Sequence, residues 1–111
     1  MARIITLQTH REPTSPGKML RYEFREPLGL TQKQLADALG LDRPTYCEIE
    51  NGKHSITPQI AIRLERVLRL PATMWLRMQL SLDLYRALHA PDAEAARLLV
   101  PIIQAPGAAL T

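Results

Sequence analysis

The segment LTQKQLADALGLDRPTYCEIENGK, Leu30 to Lys53, leaves the chain little choice of local structure. Thr31 is followed three residues later by Gln34, a pairing in which hydroxyl and amide each satisfy an open N–H at a helix start. Leu35, Ala36 and Leu39 then fall on one helical face. Gly40 stands where a left-handed residue ends a helix, a conformation that costs glycine little because it has no Cβ. Just beyond it, Asp42 suits a second N-cap. Pro44 is tolerated in the first turn that follows, and Tyr46 and Ile49 face back toward the first stripe. Asn51-Gly52 closes this second helix. Two helices joined by about three residues, with glycine at the bend, form a helix-turn-helix. An ordinary helical hairpin with a polar solvent face has the same spacing and is the alternative.

The rest of the chain reads as helix too. Ser15 caps a first helix with Pro16 at its first position, Leu20 and Phe24 on one face, and Pro27 and Gly29 at its end. Thr57-Pro58 starts a fourth helix whose apolar side is Ile60, Ile62, Leu64, Val67 and Leu68. After Pro71 a fifth helix runs roughly from Thr73 to Leu88, and Asp92 to Leu99 fits a short C-terminal helix between Pro91 and Pro101. With 46% apolar residues in 111 the chain can bury a core, and with only 5% aromatic residues that core is Leu, Ile and Ala, which suits helices. The expectation is an all-α domain of five helices over 15–88, an N-terminal segment 1–14 and a tail 89–111.

Several chemistries find no support. One cysteine, Cys47, allows neither an internal disulfide nor a multi-thiolate metal site. His10, His54 and His89 lack ligand spacing, so no metal and no cofactor is expected. Glu48 and Glu50 point to different sides of a helix and make no acid–base dyad. Cys47 has no histidine near it in sequence, and an enzyme is not expected. No apolar run reaches the ~18–20 residues that cross a bilayer. The N-terminus lacks a signal peptide's apolar stretch, so the expected location is cytoplasmic and away from membranes. The net charge of +3 is mildly basic and carries little by itself.

The placement of polar residues says more. Arg43, Pro44, Thr45 and Glu48 lie on the outward, N-terminal part of the second helix of the motif, the part that enters the major groove. Arg43 is suited to guanine O6 and N7, with a phosphate contact or a solvated side chain as the alternative, Glu48 to cytosine N4, and Pro44 to apolar contact such as a thymine methyl. Thr31 and Gln32 sit at a helix N-terminus, where backbone N–H groups and the dipole favour a phosphate; Lys53 and His54 suit the opposite flank. The fifth helix is apolar nearly all round. Trp75, Met78, Leu82 and Tyr85 form one stripe, and Leu76, Leu80, Leu84 and Leu88 another. One stripe covers the core, and the other is expected to be an interface between two copies, as a motif that reads half-sites requires.

The motif resembles the helix-turn-helix of Cro- and phage-repressor-type regulators. A wider pattern resembles HigA-type antitoxins, also described as virulence-associated protein I: the entry P-T-x-P-G-x-x-L…E-F…E-P-L-G-L, then N-G-K…I-T, then W-L…Q…D-L, in that order from Pro13 to Ala87. The start of the fifth helix departs from the family's Ser/Thr-Pro, reading Leu70-Pro71-Ala72-Thr73. The resemblance implies a Cro/repressor-like fold that inhibits a HigB/RelE-like, ribosome-dependent mRNA-cleaving toxin and, as a homodimer, represses its own operon on double-stranded operator DNA. A stand-alone phage or plasmid regulator without a toxin is the alternative. The repressor-type fold also implies an ion pair between Arg25 and Glu50. The toxin is expected to dock on a folded surface, with Arg11, Lys18, Tyr22 and Arg25 on the N-terminal segment and first helix as its nearest candidates.

Overall fold

A computed structural model describes residues 12–103, and these are entirely helical or irregular, with no strand among them. The elements are α1 (Pro16–Met19), continued without a break by a π-helical segment (Leu20–Arg25), then α2 (Gln32–Leu39), α3 (Arg43–Glu50), α4 (Pro58–Leu68), α5 (Ala72–Leu88) and α6 (Ala93–Arg97). Arg11 and most of the segment 1–14, together with 104–111 of the tail, lie outside the described residues.

The starts of the longer helices show their chemical cause. Lys18 N–H donates to the Ser15 hydroxyl at 3.1 Å, and Ile60 N–H to the Thr57 hydroxyl at 3.3 Å. Thr31 and Gln34 form the full reciprocal capping box. α5 has no capping side chain of its own. Glu65 of α4 reaches across instead and accepts the Ala72 N–H at 2.6 Å, so the helix starts at Ala72 without a Ser or Thr before it.

The core is formed by Leu20, Leu35, Leu39, Tyr46, Ile49, Leu64 and Trp75 with smaller residues between them. α2 packs on α3, α1 on α3 and α5, and α4 on α5 and α2. Ala36 and Ala61 are fully buried where helices meet closely. Gly40 has φ +70, and Arg63 of α4 lies over it, donating to the carbonyls of Leu39 and Gly40. A cation thereby meets the negative end of α2.

Three sequence expectations are corrected by the fold. Ile62 is 63% exposed, because it follows Ile60 by two residues and so lies about 200° round the helix. Val67 sits at the edge of the buried face and is also exposed; Ile60, Ala61 and Leu64 make that face. The first helix is not a uniform α-helix. Its longer hydrogen bonds, such as Glu26 N–H to the Arg21 carbonyl, widen the turn. In an α-helix Arg25 would lie about 140° away from Leu20. The wider turn lets Leu20, Phe24 and Arg25 all contribute to the inner side.

α6 is shorter than the sequence suggests, and Asp92 makes no side-chain cap bond. Ala93 is its buried residue, and Arg97 donates to the Leu88 carbonyl at 2.8 Å, closing the end of α5.

Candidate nucleic-acid interface

Helix α3 stands on a buried polar cluster. Arg25 and Glu50 meet side-on: Nε to Oε2 and Nη2 to Oε1 are both 2.8 Å. Their side chains are 14% and 2% exposed, so this is an interior ion pair. The Tyr46 hydroxyl donates to Glu50 Oε2 at 2.6 Å, and the Gln32 amide donates to Oε1 at 3.1 Å. The Cys47 thiol lies 3.0 Å from the Gln32 side-chain oxygen. One carboxylate therefore joins α3 to both the π-helical segment and α2. Burial pushes the Glu50 carboxyl up, but the hydrogen bonds from Arg25, Tyr46 and Gln32, with the Arg25 charge, outweigh it and hold the group below its ordinary value. The Tyr46 hydroxyl moves the other way, raised by burial and by its bond to Glu50.

The close fit beneath α3 has a steric condition. A Cβ on Gly17 would stand 2.3 Å from the Ile49 carbonyl oxygen and 2.5 Å from that of Glu50. Only glycine lets α1 approach the end of α3 this closely.

On the outward side, Arg43, Pro44 and Glu48 are exposed. Neither Arg43 nor Glu48 has a side-chain partner among the described residues. Asp42 caps α3 by accepting the Thr45 N–H at 3.2 Å and the Thr45 hydroxyl at 2.7 Å. The Thr45 hydroxyl and then its N–H hold the Asp42 carboxyl below its usual range. An acidic cap already occupies the positive end of α3, so that end does not invite a phosphate. α2 differs, because its cap, Thr31, is neutral and its first-turn N–H groups remain attractive to an anion.

Four expected contact residues are partly committed elsewhere. The Gln32 side chain turns inward to Glu50 and Cys47. The Thr31 hydroxyl accepts the Gln34 N–H, and the Thr45 hydroxyl is spent on Asp42. His54 is half-buried, with Nδ1 2.8 Å from the Ser55 carbonyl oxygen. Lys53 is exposed.

The loop between α3 and α4 is pinned by a residue that periodicity did not single out. The Gln79 side-chain oxygen accepts the Ile56 N–H at 2.8 Å, and its amide donates to Asp83. Both residues stand in the W-L…Q…D-L pattern, which was the available signal.

On α5, Trp75 and Leu82 are buried, while Leu80, Leu84 and Leu88 are 66%, 56% and 48% exposed. Leu76 departs from the outer stripe and packs, half-buried, on the core. The cluster expected on the first helix is also divided. Arg25 is bound to Glu50, and Arg21 lies 5.0 Å above the Tyr22 ring while pairing with Glu26.

A family model described as Helix-turn-helix matches residues 22–75. The chain is 39% identical over 88 residues to antitoxin HigA-1 of Vibrio cholerae serotype O1, spanning 79% of this chain and 83% of that one. The chain belongs to the HigA-type helix-turn-helix family. Among solved structures, Pseudomonas aeruginosa antitoxin HigA with the higBA promoter superposes with a TM-score of 0.74 at 30% identity, over 82% of this chain and 99% of that one. Antitoxin GraA in complex with its operator gives 0.75 at 29% identity, over 84% and 94%. The HigA-type fold is thus present with its helix-turn-helix, and among the described residues no helix is long and apolar enough to cross a membrane.

Proposed function

We propose that this chain is the antitoxin of a type II toxin–antitoxin module. As a homodimer it binds operator DNA and represses its own operon, and it neutralises a HigB/RelE-like mRNA-cleaving toxin in the cytoplasm. It acts by binding and not by catalysis. The observation that carries this reading is the exposed side of α3, where Arg43 and Glu48 have no side-chain partner among the described residues, above the buried Glu50 cluster. The similarity to antitoxins solved on promoter and operator DNA supports it. In this reading residues 15–88 are the DNA-binding unit, Arg43, Pro44 and Glu48 meet base edges, and Lys53 and the N-terminus of α2 at Thr31 and Gln32 meet phosphates. Thr45 and His54 contribute mainly to shape. The exposed leucines of α5 supply the two-fold contact.

The test is operator binding against salt. Affinity should fall steeply with salt as phosphate contacts release counterions. Arg43→Ala should lose about 1–3 kcal/mol of discrimination, while Lys53→Ala should weaken specific and random DNA alike. Equal losses on both DNAs for both variants would reduce Arg43 to a phosphate contact. The toxin half is tested by co-expression with the adjacent reading frame, where a stable complex and restored growth are expected. Failure to capture that product would leave a stand-alone regulator.

A further inference from the structure

Leu98 to Ile103, the sequence LLVPII, carries five large aliphatic residues around Pro101. Leu98, Leu99, Val100, Ile102 and Ile103 are between 67% and 98% exposed. No charge interrupts the segment. Contiguous exposed apolar surface of this kind marks a contact. The segment is not loose from its base, because buried Ala93 and the Arg97–Leu88 bond fasten α6 to the C-terminal end of α5.

The described residues also leave an apolar groove of about 470 Å³ along α5. Pro13, Met74, Met78, Leu84, Tyr85 and Leu88 line it, and Arg77 is the one permanently charged residue in its lining. From Met74 to Leu88 the groove follows about 21 Å of helix. Six extended residues reach about 17–20 Å, so the apolar segment and the groove match in length. Both are nearly uncharged. Pro101 suits the fit, since a proline favours an extended backbone and brings no N–H to be satisfied.

We propose that Leu98–Ile103 of one copy lies in the α5 groove of a second copy, an exchange of arms that locks the dimer. This rests on the reading of α5 as the dimer face. A two-fold axis perpendicular to α5 at Leu80 and Leu84 sets the two helices antiparallel. The C-terminal end of one, where α6 and the arm depart, then lies beside the Met74 end of the other. Leu84 and Leu88 belong both to the exposed leucine stripe and to the groove, so helix contact and arm contact form one continuous surface.

The experiment uses the full chain with Cys47→Ser. One population carries Ile102→Cys and the other, tagged, carries Met78→Cys; the two are mixed, allowed to exchange subunits and mildly oxidised. A mixed disulfide between tagged and untagged chains is the expected result. Its absence, in a sample that light scattering shows to be dimeric, overturns arm exchange while the α5 dimer stands. A monomer by light scattering overturns both, and locates the failure in the α5 reading. When both cysteines are on one chain, an exclusively intrachain disulfide also overturns the proposal, because the arm then folds back on its own groove. Independently, a chain ending at Leu98 should dimerise about tenfold more weakly or worse, which corresponds to ~1.4 kcal/mol. An unchanged dimer constant refutes the proposal, and does so in favour of a toxin contact if capture of the toxin is lost at the same time.

Discussion

Replacing Glu50 with alanine should do more damage than any other single change to a charged residue. The carboxylate accepts four hydrogen bonds: two from Arg25, one from Tyr46 and one from Gln32. Its side chain is 2% exposed, so water cannot replace it, and the Arg25 guanidinium would be left as a largely buried, unpaired charge. Breaking one partner of such a pair costs about 3–5 kcal/mol. A domain of this size is stable by only about 5–15 kcal/mol. At roughly 4–8 °C per kcal/mol, the melting temperature should fall by about 12–40 °C. Urea titration followed by circular dichroism at low temperature gives the free energy directly. A compensated variant separates charge from packing. Arg25→Met, Tyr46→Phe and Glu50→Leu together remove the charge, its partner and the buried hydroxyl, and should recover most of the loss. A cost below about 1 kcal/mol for Glu50→Ala would mean that the pair behaves as a solvated surface bridge, and the reasoning would fail. It would fail equally if the triple variant were as unstable as the single one.

Acid should expose the same cluster. Glu50 is held below the ordinary carboxylate value of about 4.3, so its stabilisation is complete above that pH and is lost as pH falls through the lower, folded-state value. Urea stability measured from pH 7 to pH 3 should therefore fall more steeply for the natural chain than for the compensated variant; parallel curves would contradict this. Gly17→Ala, normally favourable in a helix, should destabilise by about 1–3 kcal/mol because its Cβ meets the carbonyls of Ile49 and Glu50, and a neutral or stabilising result in denaturant melts would refute it. Leu80→Glu and Leu84→Glu should each give a monomer by light scattering with helicity retained, and a dimer that survives both changes would move the interface elsewhere.

Local rules made the helix starts and the turn legible, because Ser15, Thr31, Asp42 and Thr57 act within three residues of themselves. Gly40 was legible for the same reason. The π-helical segment was not, since nothing in the spacing of Leu20, Phe24 and Arg25 separates a widened turn from an α-helix with one polar residue out of phase. Ile62 was misplaced because an apolar residue at the wrong angle looks like any other on a short helix. Opposite charges at Arg25 and Glu50 stand in the sequence, but their facing one another came from the resemblance. Tyr46 reaches Glu50 one helical turn along α3, a spacing the sequence shows, but Gln32 and Cys47 join the cluster through contacts 18 and 15 residues long, for which it carries no periodic signal. Gly17 illustrates the same limit. Its place in a first turn is readable, whereas the carbonyls it must avoid belong to another helix.

The buried cluster also decides which polar residues remain for recognition. A side chain that already completes a cap or a core bond would have to break it before meeting DNA, and each such bond is worth about 0.5–1.5 kcal/mol, more when a charge takes part. Gln32 donates to the Glu50 carboxylate, and Thr45 donates to Asp42, so both start from a deficit. Among the described residues Arg43 and Glu48 make no such bond. They lie five residues apart on a helix whose base is fixed to the π-helical segment and to α2, so their separation and direction are set before DNA arrives. About 140° round the helix from one another, the two opposite charges favour different base edges in the proposed reading: Arg43 seeks acceptors, while Glu48 is repelled by phosphates and is satisfied only by a donor such as cytosine N4. In the proposed reading, discrimination on α3 rests on one attraction and one exclusion, with Pro44 adding apolar contact and the other neutral residues between them holding the helix where both can act.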